Sequence, residues 1–247
     1  MEIEVNIENQ RYKANLNNPV SIGIPLTAND NPNCYYAKPP EFSPIRGDGF
    51  IGSLAEGGTV NHYEITLAPH GNGTHTECSG HIYDNNQVIS GTLDKYNFLA
   101  QVISIEPSKE AADSYISGEA IAQFSIKPEV NTLVIRTLPN TSEKLVKNYS
   151  GTNPTYISEE AMRKIVAMGI EHLIVDLPSV DPEVDGGQLK AHKTFWLGER
   201  QNYCTITELA YVPDKLDDGL YLLNLQVLRI ELDASPSNPV LYSLESI

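Results

Sequence analysis

From His70 to His81 the chain reads His-Gly-Asn-Gly-Thr-His-Thr-Glu-Cys-Ser-Gly-His, a stretch holding three of the six histidines, one carboxylate and one thiol. His75 and Glu77 stand two apart, and on an extended backbone alternate side chains share a face. Both can therefore meet one cation. Neutral imidazole with carboxylate is a donor set suited to zinc or another first-row divalent ion. His81 adds an imidazole, whose ordinary pKa lies near neutrality and fits it to carry protons. A pair of ligands on one strand does not complete a coordination sphere, so distal donors are expected. His192, after the Asp181 to Gly187 loop, is the preferred one, and Glu208 is a lone acid in the apolar run Thr205 to Leu209. His62 and His172 fall in strand-like segments and allow a structural reading. Trp196, the only tryptophan, follows His192 closely and is read as a substrate-binding side chain, with simple packing as the alternative.

Other chemistries fit these residues less well. His75-Thr76-Glu77 matches the H-x-E of zinc deaminases, but no P-C-x-x-C follows. There is no H-E-x-x-H and no G-x-S-x-G elbow. Cys78 could act as a nucleophile beside His81, yet a small buried residue is the commoner role. Gly47-Asp-Gly-Phe-Ile-Gly52 matches the dinucleotide pattern G-x-G-x-x-G, but prolines precede it where a strand should run and Gly57-Gly58 follow where a helix should.

The elements that must position these groups read as an α/β fold. Ile3, Val5 and Ile7, then Tyr12, Ala14 and Leu16, alternate as an N-terminal hairpin over residues 1–16. Residues 27–58 form a long Pro-, Asn- and Gly-rich loop, of the kind that is usually functional or packs over something. Residues 59–68 alternate with Tyr63, Ile65 and Leu67 on one face and are expected to be the strand that feeds the His70 loop. Residues 100–105 and 132–137 read as further strands. Ser117 caps a short helix near residues 119–124. Ser158 caps the clearest helix, residues 159–168, with acids in its first turn and Gly169 at its end. The strand His172 to Leu177 comes next, a helix-to-strand succession typical of α/β architecture. A helical piece at 191–197 and strands at 204–212 and 220–232 complete the reading. No repeat or linker divides the chain, so a single domain over residues 1–247 is expected.

Composition narrows the class. A length of 247 residues suffices for a sizeable core. Three widely spaced cysteines argue against a disulfide framework and for a reducing compartment. The first eight residues lack a basic and then apolar signal pattern, and no run approaches the length of a membrane span, so a cytoplasmic protein is expected. A net charge of −15 disfavours nucleic acid or an anionic membrane as partner and leaves a small-molecule substrate.

Gly73-Thr74-His75-x-Glu77-x-x-x-His81 resembles the H-x-G-T-H-x-D-x-P-x-H motif of the cyclase-like metal-dependent hydrolases, a family that includes bacterial kynurenine formamidase and isatin hydrolase. The likeness extends from about residue 16 to 212. Pro19 to Pro25 resembles the family's P-x-x-x-G-x-P piece, and Gly57-Gly58 its G-G pair. Asp176 to Asp181 resembles its D-x-x-S-x-D stretch, Ala191-His192 its A-H, and Ile206 to Leu209 its I-x-E-x-L. The resemblance implies a swivelling β/α/β fold with a mixed sheet, and a homodimer or homotetramer. It implies one or two zinc or manganese ions held by His75, Glu77, His192 and Glu208, with His81 as general acid/base. The implied activity is hydrolysis of an amide or cyclic amide, as in an arylformamidase. The alternatives are a degenerate member that binds without catalysis, or a lyase or cyclase using the same site. Four departures are visible, one of them Ser79 where the family's motif has Pro. The family's first histidine falls on Gly71, with His70 one place early as an additional candidate ligand. Glu77 stands where the family has Asp. The substrate-stacking tryptophan of kynurenine formamidases falls near Thr27, which has no ring.

Overall fold

The computed structural model describes residues 1–247. Its centre is a mixed sheet in which seven strands close on themselves. Asn97–Ile105, Thr132–Thr137, His172–Val175 and Thr205–Glu208 lie side by side in that order, all parallel. Gly219–Val227 and Ala234–Ser246 extend the sheet beyond Asn97–Ile105, each antiparallel to its neighbour. The three-residue strand His75–Glu77 bridges Thr205–Glu208 to Ala234–Ser246, antiparallel to both, and completes the ring. The expected α/β fold with a mixed sheet is thus the observed one.

The parallel strands are apolar because both their faces are covered. Thr132–Thr137 is buried along its whole length. Its Leu133 and Ile135 pack with Ala161, Met162 and Ile165 under the helices, whereas Val134 packs with Phe98, Val102 and Leu223 on the opposite face. The helix Glu159–Ala167 links Thr132–Thr137 to His172–Val175, as a parallel pair requires. The Ser158 side chain accepts the Ala161 N–H, Glu159 and Glu160 occupy the positive end, and Gly169 ends the segment at φ +81°. Ser117 caps Gly118–Ala122 in the same way, through the Ala120 N–H. The N-terminal hairpin pairs Glu2–Ile7 with Gln10–Asn15 and attaches to the end of Ala234–Ser246.

The structure corrects three expectations. The strand in residues 59–68 is only Tyr63–Thr66, fully exposed, and it pairs with Glu41–Pro44 in a separate two-stranded arm. Its alternation therefore reflects no core face, and it does not feed the His70 loop as a rigid strand. The strand expected at 220–232 stops at Val227, and the chain turns back as Ala234–Ser246, the longest strand. Pro236 and Pro239 concealed that strand, since proline reads as a strand breaker. Within residues 27–58, the glycine-rich stretch is a small hairpin, Arg46–Gly47 against Phe50–Ile51, turning at Asp48-Gly49 with Gly49 at φ +75°. No helix is long and apolar enough to cross a membrane.

Candidate metal centre

His75–Glu77 and Thr205–Glu208 pair so that His75 lies opposite Glu208. Thr76 points the other way, where its hydroxyl meets that of Thr207 at 2.7 Å. Alternation thus places His75, Glu77 and Glu208 together on the helix-covered face, all fully buried or nearly so. The short helix Lys190–Phe195 lays His192 over the same point. His192 Nε2 is 3.0 Å from Glu77 Oε1 and 3.8 Å from Glu208 Oε1, and His75 Nε2 is 3.5 Å from Glu208 Oε2. The four distant candidates of the sequence reading are one cluster.

Each imidazole is oriented by its other nitrogen. His75 Nδ1 donates to the Gly73 carbonyl at 3.0 Å, leaving the Nε2 lone pair turned to the cluster. His192 Nδ1 lies 2.7 Å from Asp181 Oδ2, and Asp181 also accepts the N–H groups of Ala191 and His192. Asp181 is therefore a buttress of His192, the carboxylate–imidazole pairing that fixes a ligand's ring. Asp176 plays no such part. It is bonded to Thr137 and to Lys144 at 2.8 Å, bracing the ends of the Thr132–Thr137 and His172–Val175 strands.

His70 joins the cluster despite its offset. The chain turns at residues 68–72, where the N–H groups of Gly71 and Asn72 both bond the Ala68 carbonyl. A Cβ on residue 71 would come within 2.2 Å of Ala37 Cβ, so a histidine there would collide. The preceding residue supplies the ring instead. His70 Nδ1 stands 3.0 Å from Glu77 Oε2, and its Nε2 bonds Asp233 Oδ2 at 2.6 Å. His81, on the turn Ser79–His81, stacks on His70 with ring centroids 4.1 Å apart. Its Nδ1 lies 3.3 Å from the same Asp233 oxygen, and its Nε2 lies 3.9 Å from Glu77 Oε2.

Two contributors escaped sequence reasoning. Asp233 precedes the hidden strand Ala234–Ser246, and its carbonyl accepts the Cys78 N–H, which locks it to the histidine loop. Nothing in its local pattern sets it apart from Glu231. Tyr35 reaches the site from the long loop, where Tyr35-Tyr36 amid Pro and Asn was the only available signal. Trp196 requires a correction. It is fully buried, donates its indole N–H to the Cys204 carbonyl at 2.9 Å and packs 5.4 Å from the His192 ring. It supports His192 and lines no part of the cavity above the centre.

Three buried atoms here lack a well-aligned hydrogen bond: His75 Nε2, and the pair His70 Nδ1 and Glu77 Oε2, which lie 3.0 Å apart without the geometry of a bond. An unsatisfied buried polar atom costs about 1–3 kcal/mol, so three converging on one place mark a missing partner. Electrostatics agrees. Burial opposes charge on His70 and His192, yet the carboxylates around them outweigh it and lift both to about 10. Burial likewise opposes ionisation of Glu77, but its imidazole neighbours hold its carboxyl well below the usual range. His70 and then His81 hold Asp233 low in the same way. The carboxylates thus hold protons on their imidazole neighbours, and a bound cation would take the place of those protons. His70, Glu77 and His81 on one side, and His75, Glu77 and Glu208 on the other, offer two donor groups sharing Glu77, and a divalent ion fits either.

Above the centre a cavity of about 310 Å³ is lined by Tyr35, His70, His81, His192 and Glu208 together with the segment from Ser179 to Leu189. Burial, and then the charge of Glu208, raise the Tyr35 phenol above its ordinary pKa. Tyr35 therefore stays a neutral ring at physiological pH.

A strand-borne His/Glu cluster beneath a small cavity, on a mixed sheet of this topology, makes an α/β protein with a candidate metal centre. The family model described as a putative cyclase, the Cyclase family, matches residues 15–182, and the chain belongs to that family. It is similar to the kynurenine formamidase of Bacillus cytotoxicus, with 28% identity over 191 residues covering 76% of this chain and 83% of that protein. Isatin hydrolase A from Labrenzia aggregata shares the fold at a TM-score of 0.67 and 16% identity, covering 92% of this chain and 94% of that one. A predicted metal-dependent hydrolase from Bacillus stearothermophilus does so at a TM-score of 0.64 and 17% identity, with 91% and 98% covered.

Proposed function

We propose that the chain is a metal-dependent hydrolase that cleaves the C–N bond of an amide or cyclic amide in a small molecule. The observation that carries this reading is the convergence of three buried atoms without a well-aligned hydrogen bond, on His70, His75 and Glu77, beneath an open cavity. The likeness to a kynurenine formamidase supports the bond type. His75, Glu77, His192 and Glu208 would hold one or two zinc or manganese ions, with His70 as a further ligand. When bound, such an ion supplies Lewis acidity, polarising a carbonyl and acidifying water towards a pKa of about 7.

The remaining work falls to the protein. His81 is the proton carrier, with a ring about one-third exposed to the cavity and an Nδ1 held by Asp233. It takes the proton from the attacking water and passes it to the leaving nitrogen, so that one amide and one water become one carboxylic acid and one amine. Asp233 orients His81. Asp181 fixes His192, and Gly73 fixes His75. The three cysteines, all buried and unpaired, support the reducing compartment of a cytoplasmic enzyme.

Metal analysis of protein purified without added metal tests the assignment. Bound zinc or manganese is expected, and it should be lost in His75→Ala. A metal content that this substitution leaves unchanged would refute the site. Turnover of a panel of formamides, cyclic amides, esters and lactones tests the bond, with uptake of one water separating hydrolysis from elimination or ring closure.

A further inference from the structure

Away from the metal centre, a second cavity of about 350 Å³ opens where three parallel strands end. Glu106 and Pro107 reach it after Asn97–Ile105, Thr137 closes Thr132–Thr137 there, and Asp176 and Leu177 follow His172–Val175 into it. The crevice beyond the carboxyl ends of parallel strands is where α/β sheets bind their ligands. No residue lines both this cavity and the one above the metal centre.

The cavity contains a buried polar group with nothing to bond. Tyr149 is only 7% exposed, and its ring packs with Cys34 and Leu209. Its hydroxyl bonds no protein group and opens on the cavity on the side of Asp176. The ion pair beside it is already satisfied. Lys144 Nζ donates to Asp176 at 2.8 Å and to the two Thr137 oxygens at 2.6 and 3.0 Å. Asp176 also accepts the Thr137 N–H and hydroxyl. Buried hydroxyls are almost always paired, because leaving one unpaired costs stability. The Tyr149 hydroxyl is therefore a donor left for something that enters the cavity.

The walls carry both signs of charge. Lys147 Nζ stands 5.1 Å over the Tyr149 ring. Lys147 and Lys109 line the cavity together with Glu106 and Glu143, and none of the four forms an ion pair or a side-chain hydrogen bond. Pro139, Pro154 and Leu138 give the same cavity apolar surface.

We infer that this cavity binds a free α-amino acid with an apolar side chain. Its carboxylate is received by the Lys147 ammonium and the Tyr149 hydroxyl, its ammonium by Glu143 and Glu106, and its side chain by the proline-rich wall. A ligand of one sign would meet like charge from half of the uncommitted groups, which costs affinity. A cavity near 350 Å³ is at the small end for ligand sites, a size for a molecule with one ring.

Calorimetry on the metal-loaded protein tests this with L-phenylalanine, L-valine, phenylalaninamide and N-acetylphenylalanine. The amide keeps only the ammonium, and the acetyl derivative only the carboxylate. Phenylalanine should bind, and each derivative about tenfold more weakly or worse. Tyr149→Phe keeps the packed ring and removes only the unbonded hydroxyl, so the fold should survive. Its affinity for phenylalanine should fall about three- to tenfold. Lys147→Gln should weaken phenylalanine and the acetyl derivative but not the amide, and Glu143→Gln should weaken phenylalanine and the amide but not the acetyl derivative. Metal content measured on each variant should match the unaltered protein, which separates this site from the metal centre. An absence of binding by both amino acids overturns the inference. So does a derivative of single charge that binds as tightly as phenylalanine, or an affinity for phenylalanine unaltered in Tyr149→Phe and Lys147→Gln. None of these outcomes bears on the hydrolase reading, which rests on other residues.

Discussion

His81 and Glu77 show how much depends on what each side chain's second atom touches. His81 is held by Asp233 on one nitrogen and is free to exchange a proton on the other. Replacing it by alanine should lower kcat by roughly a hundredfold to ten-thousandfold, the usual worth of a general acid/base. His81 also belongs to one donor group, so metal content on the same sample decides its role: a proton carrier leaves it near that of the unaltered protein, and a ligand lowers it. Asp181 acts through His192, so Asp181→Asn should weaken metal affinity by about ten- to a hundredfold, read by competition with a chelator. Gly71 offers a sharper test of how His70 reaches the site. Gly71→Ala drives a methyl into Ala37, and overpacking of this kind costs about 1–3 kcal/mol. The strain displaces the turn that carries His70, so metal content and activity should fall together. Ala37→Gly in the same chain removes the collision and should restore both, whereas a failure of this rescue would separate His70 from the fit at Gly71.

At the scale of elements, the centre depends on short segments. His75–Glu77 is only three residues long, and its pairing on both edges makes it rigid enough to aim both side chains at the cluster. Lys190–Phe195 is short for a helix and is stabilised by the burial of Phe195 and by Asp181 at its start rather than by its own propensity. Glu159–Ala167 is the opposite case, a helix whose cap and periodicity suffice. Ser158→Ala should cost about 1 kcal/mol, or about 2–4 °C in Tm for a chain of this size, with no change in metal content. Thermal unfolding followed by circular dichroism checks both the size and the absence of a functional effect.

For the whole molecule, stability should depend on pH through a residue far from the centre. His172 is buried against Phe98, bonds Thr205 Oγ1 at 2.9 Å and faces Arg200, Lys95 and Asp94. Burial foremost, with Arg200, pulls its pKa down to about 4 from an ordinary 6.5. The unfolded chain therefore binds a proton that the folded one refuses between those values. Stability rises with pH across that window, and His172's contribution is lost as the pH falls through it. Its size is up to about 3 kcal/mol. Urea midpoints at about pH 5 and pH 7 should differ less in His172→Gln than in the unaltered chain.

What could be read from residues alone was whatever is local or periodic. The donor types, the two-residue spacing of His75 and Glu77, the capped helix Glu159–Ala167 and the buried run Thr132–Thr137 each declare themselves within a few positions, because alternation and capping are short-range physics. The sequence motifs shared with relatives extended this to His192 and Glu208. Only the tertiary structure decided the rest. His70 is in the site because Ala37, distant in sequence, leaves no room for a side chain at residue 71. Asp233 joins because a strand masked by prolines closes the barrel against His75–Glu77. Trp196 leaves the binding role because helix packing buries it completely, and Tyr35 takes a place at the cavity because a strained turn holds it there. Each of these depends on which distant surfaces come into contact. Contacts between residues far apart are set by the closure of the sheet, which no local pattern encodes.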